Sequence, residues 1–95
     1  MPALSYYSNV HNTALNILVD RGYQLWRDPE TDAICAERDR WDFMADDPVQ
    51  LLGIVSIFET LEPSECTEYW WRINEPWIAD DLPTAPPNYN PIWRK

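Results

Sequence analysis

Prolines divide this chain into a part that can form regular structure and a part that cannot. Six of its nine prolines follow residue 62: Pro63, Pro76, Pro83, Pro86, Pro87 and Pro91. Each proline removes a backbone donor and fixes φ, so a segment rich in proline does not form a long helix or a central strand. We therefore expect one compact domain over residues 1–79, with its regular structure before residue 62, and an extended proline-rich tail over residues 80–95.

The first helix is predicted between Ser8 and Arg21. Apolar residues recur there at helical spacing, at Val10, Ala14, Ile17 and Leu18. Ser8 or Asn9 is the expected N-cap, because short polar side chains accept hydrogen bonds from free backbone N–H groups. Gly22 stands just beyond the end, where glycine commonly terminates a helix.

A second helix is predicted to begin after Asp47. An acidic cap, Pro48 at the first helical position and Gln50 at the capping-box position come immediately before an apolar run. Apolar residues at positions 51–61 cover most of the helix circumference. We therefore expect this helix to be buried on more than one side.

Three strands are predicted between the helices. Residues 23–28 and 33–38 alternate as strands do, and the segment 29–32 between them has the composition of a turn. Residues 39–40 then turn the chain into a short third strand over residues 41–45. The chain is thus predicted to have an α+β fold, with a helix, a three-stranded antiparallel sheet and a helix.

The segment after the second helix carries weaker signals. Residues 68–73 alternate in a way that favours a fourth strand, and a short helical turn capped by Ser64 is the alternative. Four apolar residues are expected to hold the tail against the domain: Trp77, Tyr89, Ile92 and Trp93. In so small a domain, two or three of the six tryptophans should fill the core.

The predicted order of elements resembles the topology of the double-stranded-RNA-binding domain. Such domains hold phosphates with lysine and arginine. This chain has 7 basic residues against 16 acidic ones, for a net charge of −9. A surface of that charge is repelled by a phosphate backbone, so we expect no direct binding to nucleic acid.

The acidity is concentrated in the strand region. Residues 23–47 hold eight acids and three arginines, a net charge of −5, with tryptophans interleaved among them. Carboxylates steer basic partners inward, and desolvated aromatic side chains hold them. The candidate partner-binding residues are Trp26, Asp28, Glu30, Asp32, Glu37, Asp39, Trp41, Asp42, Trp70, Trp71 and Trp77.

This chemistry favours protein binding. The expected function is that of a stoichiometric inhibitor or immunity-type protein that occludes a basic partner, such as a nucleic-acid-acting enzyme. The alternative is an accessory or adaptor protein, or a homodimer, that associates through exposed tryptophans.

Catalysis and cofactor binding are not expected. His11 is the only histidine, the two cysteines are Cys35 and Cys66, and neither a nucleophile motif nor a metal-ligand spacing surrounds them. Two glycines are too few for a phosphate-binding loop. The first residues have no signal-peptide pattern and no apolar run is long enough to span a bilayer, so a cytoplasmic protein without a membrane partner is expected.

A short stretch of the tail resembles known recruitment motifs. Residues 83–89 read Pro-Thr-Ala-Pro-Pro-Asn-Tyr. They are similar to the overlapping Pro-Thr-Ala-Pro and Pro-Pro-x-Tyr motifs with which viral budding proteins recruit sorting machinery and WW domains. The resemblance covers seven residues and implies docking of a polyproline helix in an aromatic groove.

Overall fold

A computed structural model describes residues 4–64 and 67–87 of the chain. The elements in order are a 3-10 turn Ser8–Val10, α1 His11–Asp20, β1 Gln24–Arg27, β2 Ile34–Arg38, β3 Trp41–Ala45, α2 Pro48–Leu61 and a 3-10 turn Ala79–Asp81. The three strands form one antiparallel sheet in the order β1-β2-β3. The predicted α+β class and the order helix, sheet, helix are therefore confirmed.

Two tight turns connect the strands. Between β1 and β2, the Asp28 carboxylate accepts bonds from the Glu30 N–H and the Thr31 hydroxyl, both at 3.0 Å. Between β2 and β3, Asp39 and Arg40 have φ angles of 54° and 73°. Positive φ at both central residues is typical of a type I′ turn, whose twist matches that of the flanking strands.

The core lies between the two helices and one face of the sheet. Its buried members are Leu18, Tyr23, Ile34, Ala36, Leu51 and Val55. Across the sheet, Leu25, Ala36 and Phe43 lie side by side on this inner face. Because side chains alternate along a strand, the intervening residues point to the opposite face, which no described helix covers.

α2 begins as the sequence predicts. The Asp47 carboxylate accepts a 2.8 Å bond from the Gln50 N–H, and Pro48 occupies the first turn. The Gln50 side chain accepts from the N–H of Asp46, at 3.3 Å, and not from that of the cap residue. At the other end, Glu62 adopts a left-handed conformation and Pro63 follows, so the helix stops there.

The cap predicted for α1 is wrong. Neither Ser8 nor Asn9 caps the helix, since both lie within the preceding 3-10 turn. Val10 occupies the N-cap position and makes no side-chain cap bond. A single continuous helix from Ser8 was predicted because both turns share nearly the same apolar spacing.

The contribution of Asp47 to the stability of the fold should depend on pH, because its carboxylate caps α2. The bond from Gln50 lowers the pKa of the Asp47 carboxyl below its ordinary value, and a bond from the Tyr6 hydroxyl lowers it further. A carboxyl whose pKa is lower in the folded than in the unfolded state stabilises the fold at pH values above the unfolded-state pKa. That stabilisation is lost as the pH falls through the folded-state pKa. We expect Asp47→Ala to lower Tm by roughly 5 °C at pH 7.

The difference in Tm between Asp47→Ala and the parent should shrink as the pH falls below about 4. Thermal melts followed by circular dichroism across this range measure it. Asp46→Ala is the matched control, because it removes a neighbouring carboxylate that does not cap the helix. A difference that stays constant down to low pH would contradict the proposed origin of this stability.

The fourth strand predicted over residues 68–73 is wrong. Residues 68–71 lie in two successive turns, closed by a 3.3 Å bond from the Trp70 N–H to the Thr67 carbonyl and a 3.0 Å bond from the Arg72 N–H to the Tyr69 carbonyl. Tyr69 has a φ of 59°, which a strand cannot accommodate. The alternation of aromatic residues reflects packing of Trp70 against the side of α2, where its ring lies 6.1 Å from that of Phe58.

The prediction that two or three tryptophans fill the core is wrong. Of those that the structure describes, Trp41 and Trp70 are half-buried and the other three are exposed. Small and aliphatic side chains fill the space between helices and sheet, with Tyr23 as the aromatic member. A core this thin does not enclose an indole ring fully.

α2 contacts both α1 and the sheet, in line with burial on more than one side. Its remaining side, with Gly53 and Ile57, is exposed. No helix in the part of the chain that the structure describes has the length and apolar character needed to cross a membrane. The predicted anchoring residues Tyr89, Ile92 and Trp93, the last two motif positions and Cys66 lie outside the described residues.

Candidate functional site

The open face of the sheet carries two rows of side chains. We call it the outer face and define it by Gln24, Trp26, Asp28, Cys35, Glu37, Asp42 and Met44. One row across the strands is Gln24, Glu37 and Asp42. The next is Trp26, Cys35 and Met44. Two of the three residues in the first row are acidic, whereas the second row is apolar.

The apolar row has an exposed residue on each side of a buried one. Trp26 and Met44 are 46% and 55% exposed, and Cys35 between them is 2% exposed. The two larger side chains therefore shield the thiol from solvent on a face that no described helix covers. An exposed indole and an exposed thioether on either side of the same strand form a surface suited to contact with another protein.

The acidic groups border this row. Glu37 and Asp42 are direct cross-strand partners, and Asp28 follows β1 on the same face. Like charges placed opposite each other on a sheet are destabilising, and the Glu37 carboxylate also accepts a 3.0 Å bond from the Arg40 N–H in the β2–β3 turn. The strand arginines Arg27 and Arg38 alternate onto the inner face and do not neutralise the outer one.

Arg38 is held in place on that inner face. Its guanidinium lies 4.5 Å from the centre of the Tyr23 ring and donates a 2.8 Å bond to the Arg21 carbonyl. The Glu59 carboxylate on α2 accepts bonds from Arg21 at 2.9 Å and from the Tyr23 hydroxyl at 3.1 Å. This network joins α1, the sheet and α2, so two of the chain's few cations are engaged away from the outer face.

The environment of Cys35 gives a second prediction. Burial raises the pKa of its thiol, and the carboxylates of Asp28 and Asp42 raise it further. Because the thiolate is the nucleophile, Cys35 should react slowly with iodoacetamide at pH 8. Trp26→Ala should accelerate the reaction several-fold by opening one side of the shield.

Peptide mapping by mass spectrometry separates Cys35 from Cys66 in that experiment. Tyr7→Ala serves as the control, because it removes an exposed aromatic side chain from the N-terminal segment. Rapid modification of Cys35 in the parent protein, at the rate of an unstructured peptide, would contradict the arrangement of the outer face.

The structure brings together four of the predicted site residues. Trp26, Asp28, Glu37 and Asp42 share the outer face. Trp41 does not join them, because it lies on the inner face, with its ring 4.8 Å from that of Phe58. Trp41 was predicted to join the acids because it is close to them in the chain, but adjacent strand residues face opposite ways.

The remaining acids lie at the two ends of the sheet. Glu30 and Asp32 belong to the β1–β2 turn, where Asp32 accepts a 3.2 Å bond from Arg27. Asp39 lies in the β2–β3 turn at the opposite end and is exposed, with its carboxylate 3.8 Å from the Arg38 guanidinium. These three residues extend the acidic border along the strands without lying on the outer face.

The other predicted tryptophans form a separate region after α2. Trp70 stacks edge-on against Trp41, at 5.7 Å, on the inner side of the sheet. Trp71 and Trp77 are 51% and 64% exposed. The Trp77 indole N–H donates a 2.8 Å bond to Asp80, so its polar edge is already paired while its ring faces solvent.

One polar cluster contains none of the residues predicted for the site. The Tyr6 hydroxyl lies 2.7 Å from Nε2 of His11 and donates a 2.9 Å bond to Asp47. It fastens the N-terminal segment to the start of α2. A spacing of 41 residues between Tyr6 and Asp47 leaves no local signal that could have revealed it.

Among residues 4–64 and 67–87, no three histidine, cysteine or acidic side chains converge in a way that could hold a metal ion. No protein-family model matches the chain, and no curated protein or solved structure shows significant similarity to it.

Proposed function

We propose that this chain is a non-catalytic cytoplasmic protein that binds a basic protein partner through the outer face of its sheet. The observation that carries the proposal is the exposed pair Trp26 and Met44 bordered by Asp28, Glu37 and Asp42, with the strand arginines on the opposite face. A surface of this kind combines long-range attraction for cations with an apolar centre that can be desolvated.

The two components have different roles in binding. The carboxylates raise the encounter rate with a basic protein, and that contribution weakens as salt screens the charges. Trp26 supplies the buried contact area once the complex has formed, as tryptophans do at the centres of interfaces. The unfavourable Glu37–Asp42 pairing in the free protein is relieved when a cation lies between the two carboxylates.

Occlusion is the mechanism that follows from this chemistry. An enzyme that acts on nucleic acid presents a basic cleft to phosphates, and the carboxylates on the outer face would occupy those positions. The protein would then act as a stoichiometric inhibitor or immunity-type protein.

Affinity capture from native lysate, repeated at low and high salt, tests the proposal. We expect recovery of one basic protein that is lost as the salt concentration rises. A partner that remains bound at high salt, or self-association alone, would overturn it.

A second candidate rests on the region after α2. Its exposed apolar residues are Tyr69, Trp71, Ile73, Trp77, Ile78 and Leu82. Such a patch is typical of a surface that docks on another subunit. An adaptor or homodimer that used this patch would bind in a way that salt barely changes, so the same capture experiment separates the two functions.

A further inference from the structure

The free edge of β3 carries unpaired backbone groups. β2 pairs with one side of β3, and no strand within residues 4–64 or 67–87 pairs with the other. The two-residue turn makes Arg38 and Trp41 a hydrogen-bonded pair, because a turn of this type closes with a bond between its first and fourth residues. Hydrogen-bonded and non-hydrogen-bonded pairs alternate along an antiparallel ladder. Asp42 and Met44 therefore form non-hydrogen-bonded pairs with β2, and their N–H and C=O groups point outward from the edge.

Two neighbouring hollows lie along this edge, and together we call them the groove. Near the turn, a hollow of about 300 Å³ is lined by residues 40–43 and by Trp70. Near the start of α2, a hollow of about 620 Å³ is lined by residues 44–46 together with Gln50, Gly53, Ile54 and Ile57. Every residue from 40 to 46 thus lines one of the two hollows.

The α2 side of the groove is open and apolar. Apart from its chain neighbours and the backbone of its own helix, no heavy atom of the described residues lies within 4 Å of the position where a Cβ on Gly53 would stand. Ile57, one turn further along, is 44% exposed. A strand placed beside β3 would direct every second side chain into this space, against Gly53, Ile54 and Ile57.

The charges along the edge favour a cationic segment. Asp42 and Asp46 lie at the groove, and Glu37 stands directly across from Asp42 on the outer face. Among the residues that the structure describes, Arg40 is the one cation that lines it, at the end next to the turn. A basic side chain that points to the outer face would therefore lie beside Asp42, with the Glu37 carboxylate one strand further away.

We propose that the β3 edge takes up an extended segment of the partner protein as a fourth strand of the sheet. The segment alternates basic residues, beside Asp42 and one strand from Glu37, with apolar residues, in the groove at Gly53 and Ile57. Main-chain bonds to Asp42 and Met44 provide affinity, and the alternation provides specificity. This mode of recognition rests on the proposed function, since the segment belongs to the same basic partner.

A synthetic eight-residue peptide with alternating lysine and valine is the probe, and a peptide with four lysines followed by four valines is its control. We expect the alternating peptide to bind more tightly and to slow hydrogen exchange at the amides of Asp42 and Met44. Met44→Pro removes one outward N–H without breaking a bond to β2, because proline is tolerated at a free edge. It should weaken binding at least tenfold relative to Met44→Ala, which removes the same side chain and keeps the N–H.

Equal binding by Met44→Pro and Met44→Ala, with no protection of the two amides, would overturn pairing at the edge. The proposed function would survive that result if Trp26→Ala still weakened binding of the captured partner. Concentration-dependent self-association that Met44→Pro abolishes would also overturn the proposal, because it would assign the edge to a second copy of this chain. Circular dichroism of both variants verifies that they fold.

Discussion

The substitution Leu51→Ala is expected to lower the free energy of unfolding by about 2–5 kcal/mol. Leu51 is fully buried in α2 and belongs to the core cluster with Leu18, Tyr23 and Val55. Removing its side chain loses apolar burial and leaves a cavity between α2 and the sheet. In a domain of this size such a loss is a large fraction of total stability, so the variant should be partly unfolded at 37 °C.

Urea denaturation followed by tryptophan fluorescence measures this change. Val19→Ala on α1 is the matched control, because Val19 is 56% exposed and loses a side chain that makes little contribution to the core. We expect a change of less than about 1 kcal/mol for the control. Similar destabilisation by both substitutions would mean that α2 does not pack on the sheet as described.

The second large effect is expected on binding. Trp26→Ala should weaken the affinity for the basic partner at least about 30-fold, the loss typical of an aromatic residue at the centre of an interface. Trp26 presents an exposed indole on the β1 side of the outer face and is bordered by carboxylates. The loss should appear mainly as faster dissociation, since the steering charges remain.

Surface plasmon resonance with the captured partner measures both rate constants. Tyr7→Ala again serves as the control, because Tyr7 is an exposed aromatic residue outside the outer face. A melting curve of each variant separates loss of contact from loss of fold. Unchanged affinity in Trp26→Ala would show that the outer face is not the centre of the interface.

Local signals were sufficient for much of the fold. The N-cap, first-turn proline and apolar run determined where α2 begins, and the turn at Asp39 and Arg40 determined the bounds of β3. These features act over a few residues, and their physical basis does not depend on the rest of the chain.

Sequence reasoning failed where contacts between distant residues decide the structure. The aromatic residues after α2 alternate like a strand, but Trp70 packs against Phe58 and Trp41 and thereby holds a turn. The Tyr6–Asp47 bond is likewise invisible to local patterns. In both cases tertiary packing overrode a local preference.

The candidate site was predicted in part. Trp26 and Asp28 share a face by simple alternation, and Glu37 and Asp42 join them once the register is known. Trp41 was placed with them although its neighbour Asp42 already lay on the acidic face, and alternation alone would have separated the two. The exposure of the tryptophans could not be read from the chain, because burial depends on which helix covers which face.

The most direct test of the account is the salt dependence of partner binding after the outer-face carboxylates are neutralised. We predict that the triple variant Asp28→Asn, Glu37→Gln, Asp42→Asn binds at least about tenfold more weakly at low salt and loses most of its salt dependence. The matched control neutralises three exposed acids elsewhere, Asp20→Asn, Glu62→Gln and Asp81→Asn, and changes the net charge equally. Equal effects of the two variants would contradict a specific acidic face and leave only net charge as the source of attraction.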